Sequence, residues 1–277
     1  MQNSTVASWS DPETKHQKNQ NFMNTSFSEL NRPFRQRRLG CAFLLAALLG
    51  LCVTIELHAA VVVVPNSLAT NDGNGTSTST EGPASVRWLQ IYDASQFGAL
   101  SEPSVLTQFA YRPDTIVGES GPRSLTLQIY ASTTSRSVAD LSTTFAENLG
   151  ANNTLVFDGT LILATGNLPG PGNTRQFDYV FPFATPFLYD PAAGNLVLDF
   201  QIVANGSAVT FDTVSGDSAT GRVFAFGSST ATTGDFRDSH VTQFTFAPEP
   251  SSVALLALGA AGFLCRRAPR GNRIDLA

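Results

Sequence analysis

The stretch Leu196-Val197-Leu198-Asp199-Phe200-Gln201-Ile202 decides the fold. Leu196, Leu198, Phe200 and Ile202 fall on one side of an extended chain, with Asp199 and Gln201 on the other, and a period of two is the mark of a half-buried strand. The same alternation recurs upstream, where Leu125, Leu127 and Ile129 interleave with Thr126, Gln128 and Tyr130. Phe177, Tyr179, Phe181 and Phe183 make an aromatic stripe at the same period, and residues 223–226 and 244–246 read as shorter strands. Turn-forming Gly, Pro, Asn and Asp separate these runs at 118–122, 167–173, 190–195, 205–207 and 216–221. Short strands at this spacing, without regular helices between them, predict a mainly β domain: an antiparallel sandwich or jelly roll rather than a parallel α/β sheet. One short helix is expected. Val138, Leu141, Phe145 and Leu149 have helical spacing, Ser137 and Asp140 form a loose capping box, and Gly150 is a stop. It reads as a lid over one end of the sandwich.

Around this β region the composition changes sharply. The chain has 277 residues, and the middle, 60–247, contains no lysine. That middle carries seven Arg against twelve Asp and four Glu, a net of −9. Phosphate backbones are bound by Lys and Arg that displace counterions, so nucleic acid is excluded as a partner. All three cysteines (Cys41, Cys52, Cys265) lie in the terminal apolar runs, so the middle has neither a disulfide framework nor a thiol nucleophile. Its one histidine, His240, is too few for a zinc site, and without lysine neither P-loop nor Schiff-base chemistry is open to it. No cofactor is expected.

At the N-terminus, Arg35, Arg37 and Arg38 precede an apolar run over 39–55, which ends in Glu56-Leu57-His58-Ala59-Ala60. Basic residues, an apolar core and small residues at its end describe a secretory signal peptide cut between Ala59 and Ala60, within an N-terminal segment 1–59; an uncleaved anchor is the alternative. Met23 offers a start that gives a signal of ordinary length. Residues 60–83, rich in Thr, Ser, Gly and Asn, read as a flexible linker, leaving 84–247 as the β domain.

The C-terminal segment, 248–277, has three parts: Pro248-Glu249-Pro250, an apolar run over 253–265, and Arg266-Arg267. From Ser251 to Cys265 is 15 residues, roughly 22 Å as a helix against a hydrocarbon core of about 30 Å. The run is short for a permanent span, and its arginines would stay on the cytoplasmic side. Order and spacing of these three elements resemble the PEP-CTERM sorting tail of exported bacterial proteins. The resemblance implies recognition by an exosortase, a membrane-embedded cysteine transpeptidase that removes the hydrophobic part near the Pro-Glu-Pro site. It further implies export through the general secretion machinery, transient insertion in the inner membrane, and release to a surface or matrix rich in exopolysaccharide. Ten residues follow the arginines, more than the family usually carries. An ordinary C-terminal transmembrane anchor is the alternative.

Within the β domain, candidate sites compete with plain structural roles. The loop Tyr189-Asp190-Pro191-Ala192-Ala193-Gly194-Asn195 offers Asp190 and Asn195 as oxygen ligands for calcium or sugar, but the same residue types make a tight turn. Asp158-Gly159 and Asp212 read as hairpin chemistry. Trp88 and Tyr92, on one side of a first strand, are the best aromatic candidates for a glycan platform, with burial in the core as the competing role. The stripe from Phe177 to Phe183 is better suited to a dry core. Glu102, Glu119 and Glu147 with nearby Asp residues make a hydrolytic carboxylate pair conceivable, yet no Gly-x-Ser-x-Gly elbow occurs. The expectation is therefore a non-enzymatic surface or matrix protein with a structural or adhesive role, then a carbohydrate- or calcium-dependent binding module, and last a glycan hydrolase.

Overall fold

The computed structural model describes residues 59–75, 85–116, 120–205 and 209–247. The expected signal helix and C-terminal sorting helix lie outside them. Among the described residues no helix is long and apolar enough to cross a membrane.

Twelve strands follow one another: β1 (Val61–Val64), β2 (Val86–Tyr92), β3 (Ser104–Tyr111), β4 (Ser120–Thr134), β5 (Thr154–Thr165), β6 (Tyr179–Tyr189), β7 (Asn195–Asn205), β8 (Thr213–Val214), β9 (Thr220–Phe226), β10 (Asp235–Arg237), β11 (Ser239–His240) and β12 (Thr242–Phe246). They form a four-stranded sheet in the order β1-β12-β3-β6, a six-stranded sheet in the order β10-β9-β2-β7-β4-β5, and a small pair β11-β8. The pairings are antiparallel.

Alternation sets which side chains meet. On β7, Leu196, Leu198, Phe200 and Ile202 are buried in one cluster with Leu125, Leu127 and Ile129 of β4 and with Leu106, Phe109, Phe181 and Phe244 of the other sheet. The Phe109 ring lies 4.7 Å from Phe181 within its own sheet and 5.5 Å from Phe200 of the opposite one. Tyr92 meets Phe244 edge-on at 4.8 Å. Offset and edge-to-face ring pairs at these distances each add about 1 kcal/mol beyond their burial. The stripe Tyr179–Phe181 is core, as its phenylalanine content suggests, while Phe177 lies under the Arg112 guanidinium at 5.0 Å.

Two expectations are corrected. The lid segment is not an α-helix: only Phe145–Asn148 forms a short 3-10 turn. Its hydroxyls and amides take the backbone groups that a helix would need. Ser142 N donates to Asn148 Oδ1, Asn148 Nδ2 donates to the Ser142 and Thr144 carbonyls, and Asp140 N donates to Ser137 Oγ. Phe145 N donates instead to the Thr232 carbonyl at 3.0 Å. The helical spacing nevertheless selected the buried side chains. Phe145 is buried with Leu89, Ile91, Val197 and Val223, and Val138, Leu141 and Leu149 pack against them. These partners alternate with the core-facing residues, so the segment roofs the outer face of the six-stranded sheet and does not cap an end.

The second correction concerns the linker expected over 60–83. Residues 61–64 are strand β1, four valines whose β-branched side chains suit a pleated surface. Val62 and Val64 are buried. The chain then crosses the domain as an arm. Asn66 donates from its backbone N to Gln96 Oε1 and from Nδ2 to the Gln96 carbonyl, the Asn71 carbonyl accepts from Arg112, Gly73 N donates to Asp212 Oδ1, and Gly75 N donates to the Thr213 carbonyl. Among the described residues, backbone pairing thus already involves Ala60, and residues 76–84 lie outside those described.

Candidate functional site

The four ligand candidates do not come together. Trp88 stacks on Phe200 at 4.7 Å and is 1% exposed. Tyr92 is buried between the sheets, where its hydroxyl pairs with Thr242 Oγ1 at 3.1 Å and burial pushes its ionisation far up. Neither ring can face a glycan, which corrects the platform reading. Both belong to the inward register of β2, set by their pairing with Phe200 and Leu196 of β7.

Asp190 and Asn195 serve a turn. Asp190 Oδ1 accepts from Ala192 N at 2.9 Å and caps the 3-10 turn Pro191–Ala193. Asn195 Oδ1 accepts from Ala94 N at 2.7 Å, while its Nδ2 donates to the Arg136 carbonyl at 2.9 Å. Gly194 between them has φ +141°, and a Cβ there would strike the Thr134 carbonyl oxygen at 2.4 Å. Both polar side chains thus hold neighbouring backbone, the turn role among the two readings of this loop. Among the described residues no cluster of three or more His, Cys, Asp or Glu is poised around a metal position. Asp158-Gly159 is not a hairpin but lies within β5.

Asp212 is one half of a buried ion pair. Arg112, fully buried, brings Nε and a terminal nitrogen to Asp212 Oδ2 at 2.7 and 2.6 Å, and donates to the Asn71 carbonyl at 2.6 Å. Burial pushes the Asp212 carboxyl up to about 6 against the pull of Arg112, and Asp72 adds to the rise. This pair ties β3, the arm and the strand-end loop before β8. A second buried constellation joins β2, β9 and β11. Arg222 contacts His240 Nε2 at 2.7 Å, Gln90 Oε1 accepts from His240 N, and Gln90 Nε2 donates to the His240 carbonyl. Burial pushes Arg222 down to about 10. Nothing in the sequence flagged these pairs, since an Arg and an Asp 100 residues apart have no local signature.

Glu147 lies within the roof segment, in the 3-10 turn Phe145–Asn148, where its Oε2 accepts from Ser142 Oγ at 2.7 Å, and Glu102 lies in an exposed loop before β3. Glu119 lies outside the described residues. A depression of about 300 Å3 lies between the roof and β10, lined by Leu141, Arg222, Phe236, Arg237 and Asp238 among others.

An organised polar surface lies on the outer face of the six-stranded sheet, beside the roof. Arg87 on β2, Gln201 on β7, Gln128 on β4 and Asp158 on β5 are successive cross-strand partners and so form one row across four strands. Gln128 Nε2 donates to Asp158 Oδ2 at 3.0 Å, Tyr130 OH donates to Gln128 Oε1 at 3.2 Å, and Thr126 and Thr160 pair through their hydroxyls at 2.9 Å in the next row. Arg87 closes the row with a two-toothed ion pair to Asp199 at 3.0 and 2.7 Å. Val203 and Ile162, 57% and 65% exposed, flank it.

Ala60 and Ala247, the described residues next to the two expected processing positions, lie elsewhere, at one end of the four-stranded sheet. Ala60 is half-buried, and its carbonyl accepts from Phe246 N at 2.9 Å. Ala247 N donates to the Val105 carbonyl at 2.7 Å. Ordered pairing therefore runs up to the residue before Pro248. Pro248, Glu249, Pro250, Arg266 and Arg267 follow outside the described residues.

Comparison with known proteins addresses this end of the chain. Residues 247–268 match the PEP-CTERM protein-sorting motif, the C-terminal tail recognised by exosortase. The tail places the chain among exported, transiently membrane-anchored proteins that an exosortase sorts. No curated protein and no solved structure matches the chain.

Proposed function

We propose that this chain is a non-enzymatic surface or extracellular-matrix protein with a structural or adhesive role, delivered by signal-peptide export and exosortase cleavage. Its cargo is a β-sandwich, a reading supported by two antiparallel sheets whose side chains share one core. The observation that carries the proposal is the abutment of domain and tail: backbone pairing reaches Ala247, and the sorting motif starts at that residue. Such an arrangement suits a domain that is to be cut free of its membrane segment intact. The general secretion machinery and exosortase are the partners during delivery, and exopolysaccharide is the partner after it.

The test is Glu249→Ala in the native host. The full-length form then stays in the membrane fraction. An unchanged mature mass and unchanged release would contradict the proposal.

A second reading, a carbohydrate-binding module, is favoured by the row Arg87-Gln201-Gln128-Asp158 with Thr126 and Thr160. Planar amides, hydroxyls and one tyrosine edge offer paired donors and acceptors to sugar hydroxyls. The net negative charge of the domain and the engagement of Arg87 by Asp199 favour an uncharged polysaccharide over an acidic one. Electrophoresis of the secreted protein through gels containing a neutral or an anionic polysaccharide tests it. Retardation by the neutral gel that Gln128→Ala weakens supports the reading, and equal mobility in all gels counts against it.

A further inference from the structure

β1 stands at one edge of the four-stranded sheet, and its strand partner among the described residues is β12. The Ala60 carbonyl accepts from Phe246 N, so the hydrogen-bonded positions of this ladder are Ala60, Val62 and Val64. The backbone N–H and C=O groups of Val61 and Val63 therefore point away from β12, along the outer side of the sheet edge. Val62 and Val64 turn their side chains into the core, whereas Val61 is 53% exposed. A groove of about 330 Å3 runs beside this edge, lined by Val61, Val62, Val63, Gln96, Gly98 and Ala99 among others.

The other sheet edges are blunted. β6 is interrupted by Pro182 and Pro186, β5 lies against β6 and carries Asp158, and β10 carries Asp235 and Arg237. Proline and charge are what keep an edge strand from pairing with another chain. β1 has neither, and none of the residues lining its groove is charged. On a segment, 60–247, with a net charge of −9, this neutral edge lets two copies approach with little like-charge repulsion.

We propose that β1 is a self-association edge: two copies pair their β1 strands antiparallel about a twofold axis through Val62, joining their four-stranded sheets into one continuous sheet. In this register Val61 of each copy lies opposite Val63 of the other and exchanges both backbone bonds with it. The two Val62 residues then face each other with Cα atoms about 4.5 Å apart. The strand is short, so the contact is weak and takes effect where copies are concentrated, as at a cell surface. The inference rests on the export reading above, by which the processed chain starts at Ala60.

The experiment takes the processed form released by the native host and follows its mass by sedimentation equilibrium from about 1 μM to about 1 mM, the range in which small, weak contacts act. Dimers that build up with concentration are expected. Val63→Pro removes an N–H that the β1–β12 ladder does not use, and Val61→Lys places a charge on the edge. Each raises the dimer Kd at least about tenfold and leaves the urea midpoint of unfolding unchanged. Val62→Cys, in a segment 60–247 without cysteine, links two copies by a disulfide, whereas Val105→Cys, exposed on β3 of the same sheet, does not. A chain that is monomeric throughout the range, or that gains mass only when other secreted proteins of the host are added, overturns the proposal. A dimer that Val63→Pro and Val61→Lys leave intact while both fold overturns it too, as does a disulfide at Val105→Cys with none at Val62→Cys. A released chain that still carries the 39–55 run overturns instead the export reading beneath it.

Discussion

The outer face of the six-stranded sheet has two halves with opposite chemistry. Over β9, β2 and the adjoining part of β7, the outward residues are Val223, Ala225, Leu89, Ile91 and Val197, and the 138–149 segment covers them with Phe145, Val138, Leu141 and Leu149. Over the rest of β7, β4 and β5, the outward residues are Gln201, Gln128, Tyr130, Thr126, Asp158 and Thr160, and these stay half-buried or exposed. Arg87 stands on the seam. Its guanidinium lies 4.4 Å from the Phe145 ring, donates to the Ala231 carbonyl, and pairs with Asp199. A sheet face thus recruits irregular chain where its side chains are apolar and leaves water in place where they are polar. The roofed half is packed, whereas the polar half stays half-buried or exposed among the described residues.

Substitutions in the roofed half should cost the most stability, and those in the polar half the least. Phe145→Ala empties the centre of the roof and should cost about 4 kcal/mol in urea unfolding, within the range for buried phenylalanine; a loss below ~1 kcal/mol would mean the roof contributes little. Asp199→Ala strands the Arg87 charge at the seam and should cost about 3 kcal/mol, measured the same way, with the double variant Arg87→Met/Asp199→Leu recovering most of it. Gly221→Ala places a Cβ 3.0 Å from Leu141 and 3.3 Å from Val138, lifting the roof at a cost of about 1 kcal/mol. On the bare half, Gln128→Ala and Thr126→Val should each change stability by less than about 0.5 kcal/mol. Their effect should appear only as faster migration through a neutral polysaccharide gel. If these two destabilise as much as Phe145→Ala, the halves do not differ in the way described.

Much of the strand pattern was legible. Leu196 to Ile202 and Leu125 to Ile129 alternate because one face of each strand is dry, and period two is then written into the residues themselves. The Phe145 segment was legible only in part. Spacing of three and four reports which side chains are buried, not whether the backbone is helical, and Ser137, Ser142, Thr144 and Asn148 diverted its hydrogen bonds. β1 was hidden because residues 60–75 follow a signal-like run and carry loop-forming Asn and Gly, although four consecutive valines were a strand signal in plain view. Trp88 and Tyr92 were two-sided: an amphipathic ring reads equally as platform or core until the register of β2 is known. The Arg112–Asp212 pair and the polar row exist only through long-range pairing, so no local pattern announced them. The sorting tail was the opposite case, a short linear signal complete in itself.

On the proposed function, one folded domain is delivered by two removals, at either end of residues 60–247. Intact-mass spectrometry of the form recovered from the cell surface or medium tests it most directly. A chain beginning at Ala60 and ending before Val253 is the result expected. A chain recovered with the 39–55 and 253–265 runs both still attached would contradict it.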